Sequence, residues 1–180
     1  MRKNVLLTMA ALIFGTSLAY AQLGTTAPTN TLSVAVSNEA ALTISGSGTT
    51  TLASTGTNFA NYTGTTSMIY FIRTTETSGS GYIKAQITTD FAPAGGPSVA
   101  NSGTSGDTLS YACTVAAPGT ACTGSVNAST TAQTSIATFA AGVHSAKAGN
   151  AASLLWTLIN DPAYKTATYS ATVTFTISAT

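Results

Sequence analysis

Charge is what this sequence has least of: charged residues make up 6% of its 180 positions, against roughly a quarter in an ordinary soluble domain. Six Lys and Arg stand against five Asp and Glu, so no basic stripe is present to track a phosphate backbone, and nucleic acid is excluded as a partner. One His and two Cys fall short of the roughly four nitrogen and sulfur ligands of a structural zinc site. No metal and no cofactor are expected. Acidic and basic tails are absent, and residues 174–180 contain no apolar run of bilayer length. The hydrophobic fraction, 44%, is enough to fill a core, which argues against disorder in spite of the Ser, Thr and Gly content.

The amino terminus is a separate matter. Arg2, Lys3 and Asn4 precede an apolar run from Val5 through Leu18, and Ala19-Tyr20-Ala21 follows as an A-x-A cleavage site. This is the pattern of a secretory signal peptide over residues 1–21, with the mature chain starting at Gln22 and no stable membrane insertion. Cleavage removes Arg2 and Lys3. Arg73, Lys84, Lys147 and Lys165 then face Glu39, Glu76, Asp90, Asp107 and Asp161, a near-zero net charge that favours association over dispersal.

Cys113 and Cys122 are the only cysteines, and in an exported chain their pairing is the expected state. Pro118-Gly119 between them reads as a turn, with Pro at its second position and Gly supplying positive φ at its third. The bond should clasp a hairpin, with a bulge or longer loop because the cysteines are not symmetric about the turn. Closing so short a loop contributes about 2–3 kcal/mol in the chain-entropy model. The spacing is not the C-x-x-C of a redox-active pair.

Period-two alternation runs through the rest. At the end of the chain Tyr169, Ala171, Val173, Phe175, Ile177 and Ala179 share one parity, and Ser170, Thr172, Thr174, Thr176 and Ser178 the other, which marks a strand with one core face and one wet face. Shorter versions occur at Leu32, Val34 and Val36; at Met68, Tyr70 and Ile72; at Ile83, Ala85 and Ile87; at Leu109, Tyr111, Cys113 and Val115; and at Leu154, Trp156 and Leu158. Leu42 with Ile44, and Ile136 near Phe139, are weaker candidates. Residues 45–51, 78–81 and 92–107 read as loops. No helical stripe is found; the best attempt, 140–155, is interrupted by Gly142 and Gly149. The sequence therefore predicts an all-β, immunoglobulin-like antiparallel β-sandwich of about seven to nine strands, as a single domain over residues 22–180. Residues 22–37 serve either as an N-terminal extension or as the first strand.

Threonine, roughly a fifth of the chain, gives the exposed sheet faces their solubility without charge. The row Thr172, Thr174, Thr176 resembles the hydroxyl ladders of ice-binding proteins, but a single row is the ordinary outer face of a strand. His144 among many serines offers a nucleophile pair in principle, yet there is no G-x-S-x-G elbow and the acids are scattered. No catalytic residue is assigned. Asp90 and Asp107 flank the longest loop without the D-x-D spacing of a Ca²⁺ site. Asn160-Asp161-Pro162 reads as a turn, and Asn61 and Asn127 begin glycosylation sequons.

The ending Trp156-Thr157-Leu158, Asn160-Asp161-Pro162, Tyr164 and then Thr168 through Ile177 resembles the closing strands of exported bacterial immunoglobulin-like sandwiches, including pilin-type and spore-coat-U-like surface proteins. That resemblance implies an extracytoplasmic structural or adhesive role and carries over no catalytic residue. The chain departs from chaperone–usher pilins in having its cysteines close together in mid-chain. The segment 31–37, with Leu32, Val34 and Val36, either forms the first strand of its own domain or adds to the sheet edge of a neighbour. The functional expectation is a noncatalytic secreted or cell-surface subunit that pairs with itself or with other surface proteins. The competing expectation is a monomeric module binding carbohydrate or protein through the 92–107 loop.

Overall fold

Hydroxyl and apolar side chains that alternate along an extended backbone put the apolar set on one face, and two such faces closing on each other bury both. The computed structural model describes residues 30–101 and 107–180. The expected signal peptide (1–21), residues 22–29 of the extension that follows it and residues 102–106 of the longest loop lie outside the described residues. The chain divides into two units, Met1–Ala35 and Val36–Thr180. Residues 30–35 of the first form no strand.

The second unit holds ten strands and, among the described residues, no helix. They are β1 (Glu39–Ile44), β2 (Ala53–Ser54), β3 (Tyr62–Arg73), β4 (Gly81–Ala92), β5 (Leu109–Val115), β6 (Thr120–Ala121), β7 (Ser125–Asn127), β8 (Thr134–Phe139), β9 (Asn150–Leu158) and β10 (Ser170–Ala179). One sheet has the order β1-β3-β9-β5-β7, with β2 also paired to β3; the other has the order β10-β4-β8-β6. Every pairing is antiparallel. The β-sandwich expected from the alternation is what the chain forms. Its three strands of two or three residues, β2, β6 and β7, are too short to show a period in the sequence.

The core lies between the inner strands of the two sheets, β3, β9 and β5 on one side and β4 and β8 on the other. Met68, Tyr70 and Ile72 of β3, Leu154, Trp156 and Leu158 of β9, and Leu109 and Tyr111 of β5 meet Ile83, Ala85 and Ile87 of β4 and Ile136, Ala137 and Phe139 of β8; all are buried. The large aromatics carry polar tips, and each tip finds a partner, as burial requires. Tyr111 reaches across to the second sheet, where its hydroxyl donates to Thr134 Oγ1 at 2.8 Å. Burial pushes the pKa of this hydroxyl above 10.0. The indole of Trp156 donates to Thr66 Oγ1 at 2.8 Å, deep in the first sheet.

Two expectations need correction. Cys113 and Cys122 are bonded, with Cα atoms 5.6 Å apart, but they do not clasp a hairpin. Cys113 lies on β5 in one sheet, whereas Cys122 follows β6, which pairs with β8 in the other. The bond is a staple between sheets. The turn before β6 also differs: Pro118 follows a cis peptide, Gly119 N donates to Ala116 O, and Gly119 does not have positive φ. That places Pro118 at the third turn position, as in type VI turns. Glycine is required at 119 for space, since a Cβ would fall 2.6 Å from Val115 Cγ1 and 2.9 Å from Phe139 Cε1.

Candidate functional site

An edge strand has a neighbour on one side only, so its inner side chains are covered from one side. β1 and β10 are the edge strands of the two sheets and lie against each other on the same side of the sandwich. Their inward rows are Ala40, Leu42 and Ile44 on β1, and Ala171, Val173, Phe175, Ile177 and Ala179 on β10. All are only partly buried, although they pack against the core. Their registered neighbours on β4 are buried: Ile87 opposite Val173, Ala85 opposite Phe175 and Ile83 opposite Ile177. The sandwich is closed under its inner strands and open along this seam. On the other side the Cys113–Cys122 bond holds the sheets together.

The C-terminal residues expected in the core are therefore rim residues, for a reason that lies in strand order. Val173, Phe175 and Ile177 point inward as the alternation requires, but among the described residues no strand lies beyond β10. Tyr169 precedes the strand. Its ring packs on Gly96, where a Cβ would fall 2.2 Å from it, and its hydroxyl donates to Lys165 O at 2.7 Å.

The free edge of β10 also lacks the features by which sheet edges are usually blunted. Ser170–Ala179 contains no charged residue and no Pro, and its register shifts are confined to the stretch between Ser170 and Val173. From Val173 to Ala179 the ladder with β4 is regular. Asn38 marks one end of the seam, where its Nδ2 donates to Ala179 O at 2.9 Å.

The segment 31–37 is not a strand of this sandwich; the first strand begins at Glu39. Leu32 is 90% exposed, Val34 85% and Val36 64%. Three aliphatic side chains of one parity thus stand in water on a backbone without strand partners.

The remaining candidates resolve into local structure. The carboxylate of Asp90 accepts from Phe91 N, Val99 N, Ala100 N and Ser98 Oγ, at 2.8 to 3.0 Å. Asp107 accepts from the hydroxyl of Tyr164 at 3.0 Å. The two acids are engaged separately, and the described part of the 92–107 loop is tied back on Asp90. Burial pushes the Asp90 pKa up, but the four hydrogen bonds together outweigh it and hold the group below its ordinary 3.8. A depressed carboxylate contributes stability that is complete above its unfolded pKa and is lost as pH falls through its folded value. Asp90→Ala should cost about 2 kcal/mol. It should also flatten the loss of stability below about pH 4, a change read from thermal midpoints across an acid pH series.

His144 forms a bridge pair with Arg73, and among the described residues it makes no hydrogen bond with a serine. Ser145 beside it is occupied, its Oγ accepting from Ile72 N at 3.0 Å. Asp161 forms the expected turn, its Oδ1 accepting from Ala163 N at 2.8 Å. In the threonine row, Thr174 bonds Thr88 at 3.0 Å and Thr176 accepts from Gln133 at 3.2 Å, so its hydroxyls knit the outer face of the sheet. Comparison with protein-family models, with curated proteins and with solved structures gives no match.

Proposed function

We propose that this chain is a noncatalytic, secreted structural or surface subunit that assembles by strand pairing, residues 31–37 of one copy adding to the free edge of β10 on the next. The observation that carries this reading is the unblunted β10 edge, with its half-covered row Val173, Phe175, Ile177, in the same chain as an exposed row Leu32, Val34, Val36. Both rows repeat every second residue. A strand laid along β10 would present its three aliphatic side chains at the spacing of the three on the acceptor.

The strand order supports the same reading. In immunoglobulin constant-type sandwiches the sheets are A-B-E-D and C-F-G. On this reading β1-β3-β9-β5 is matched to the first and β4 with β10 to C and F, and among the described residues no strand takes the place of G, on the free side of β10. The inter-sheet disulfide suits an oxidising compartment outside the cytoplasm, as does the expected signal peptide. The few charges leave little electrostatic repulsion between copies.

The test is a single charge in the donor. Mature native protein at high concentration should give high-mass species by size-exclusion chromatography with light scattering. Val34→Asp should shift them to monomer, because a buried aliphatic side chain worth about 1.5–3 kcal/mol is replaced by a carboxylate that must be desolvated. A native protein that stays monomeric under all conditions, or a Val34→Asp protein that assembles like the native one, would sink the proposal.

A further inference from the structure

In a chain that keeps its surfaces wet with threonine, the places where charge is retained are informative. Beyond the expected cleavage point the sequence has nine charged residues. Four of them, Glu39, Arg73, Glu76 and Lys147, line one cleft of about 1040 Å³, together with the only histidine, His144. The cleft is formed by eighteen residues, a small share of the chain, so its charge density is several times that of the rest of the surface.

Backbone pairing builds the cleft. The end of β3 is held between β1 and the segment 142–145: Glu39 is registered opposite Arg73 on one side, and His144 is bridged to Arg73 on the other. Thr74 N donates to Val143 O, Ser145 N to Ile72 O and Gly142 N to Thr75 O, at 2.9 to 3.0 Å, which fixes that segment against the strand. Glu39, Arg73 and His144 therefore form a row across three adjacent extended segments. Among the described residues one ion pair is made within the cleft, Arg73 Nη2 to Glu39 Oε2 at 3.2 Å. Arg73 Nε donates to Ser37 O at 2.6 Å. Among the described residues, the side chains of Glu76, His144 and Lys147 make no hydrogen bond.

Two residues before Arg73, and on the same face of β3, lies Phe71, which is 36% exposed and lines the same cleft. Its registered neighbour on β1 is Ala41, and its ring lies on the backbone of Gly149, where a Cβ would fall 2.9 Å from Cζ. The residues beside and beneath the ring, Ala41 and Gly149, are small, and the side chain stays partly exposed between them. The cleft combines a partly exposed aromatic ring with a balanced set of donors and acceptors, two acids against two bases and a histidine.

From this combination we infer that the Phe71 cleft is a binding site for a neutral saccharide. The apolar C–H face of a pyranose packs on an aromatic ring, and its hydroxyls, which both donate and accept, are matched by carboxylate, guanidinium, ammonium and imidazole groups held around it. The zero balance of formal charge favours a neutral sugar over an anionic one. The site lies on the outer face of the β1-β3 sheet, not in the β1–β10 seam, and it does not depend on the assembly reading.

The experiment is isothermal titration of the full mature chain with soluble neutral hexasaccharides of glucose (β-1,4, β-1,3 and α-1,4), of mannose, of xylose and of N-acetylglucosamine. At least one should bind with a Kd below about 1 mM. Phe71→Ala should weaken that sugar tenfold or more, while Phe71→Tyr, which keeps the ring, should retain it. Glu76→Gln and Lys147→Ala, both at exposed positions, should each weaken it severalfold without changing the thermal midpoint. Absence of binding by every sugar up to about 10 mM, or binding that survives Phe71→Ala in a folded protein, would overturn the inference.

Discussion

Removing residues 22–37 should abolish assembly and leave a folded monomer. All ten strands begin at or after Glu39, so the deletion takes no ladder hydrogen bond from either sheet. It removes Ser37 O as an acceptor for Arg73, an exposed contact of small energetic consequence. The shortened protein should unfold at a midpoint within a few degrees of that of native monomer. It should elute as a monomer at concentrations at which the native chain gives high-mass species. A synthetic peptide of residues 30–38 added back should bind the shortened protein and raise its midpoint, because a ligand that binds only the folded state stabilises it by mass action. The same peptide with Asp in place of Leu32 and Val34 should do neither. Assembly that persists after the deletion would place the contact elsewhere, and a shortened protein that fails to fold would mean that 31–37 completes its own domain.

This outcome depends on a feature that no local reading of residues 170–179 reveals. The alternation of Val173, Phe175 and Ile177 with Thr172, Thr174 and Thr176 shows which side chains point inward, and they do. It does not show how many strands flank them. That number follows from β4 lying between β10 and β8, a long-range property of the sheet. The rows with two flanking strands, such as Met68, Tyr70 and Ile72 or Leu154, Trp156 and Leu158, are buried as their periodicity implies. The edge rows follow the same pattern and are half-exposed.

The disulfide makes a similar point. Its pairing is legible from cysteine count and the expected signal peptide, but its role is not. Whether β6 joins the sheet of β5 or the opposite one is decided by the pairing of Thr120 with Thr138 and of Ala121 with Ala137, which no turn motif encodes. The Glu39, Arg73, His144 row is likewise invisible in the sequence, since its members come from three segments joined only by register. The one signal in the sequence is the scarcity of charge itself, against which any charged cluster formed on folding stands out.

Trp156→Ala should be among the most damaging single substitutions in the sandwich. The side chain is 3% exposed. Its ring meets Tyr111 edge-on, with centroids 5.1 Å apart and planes at 66°, and Tyr111 is the residue registered opposite it on β5. Truncation leaves a cavity between the sheets and withdraws the indole donor from Thr66, whose hydroxyl retains its bond to Thr50 at 2.6 Å. Loss of a buried aromatic side chain of this size costs about 3–5 kcal/mol, a large part of the 5–15 kcal/mol typical of a folded domain. The thermal midpoint should fall on the order of 10 °C. Trp156→Phe keeps most of the apolar volume and loses the hydrogen bond, so it should cost less than half as much. Urea unfolding is best measured in the chain lacking residues 22–37, where association contributes nothing to the apparent stability. A Trp156→Ala protein within about 1 kcal/mol of its parent would show that the sheets are keyed together elsewhere, the Cys113–Cys122 staple and the Tyr111 to Thr134 bond being among the other ties between them.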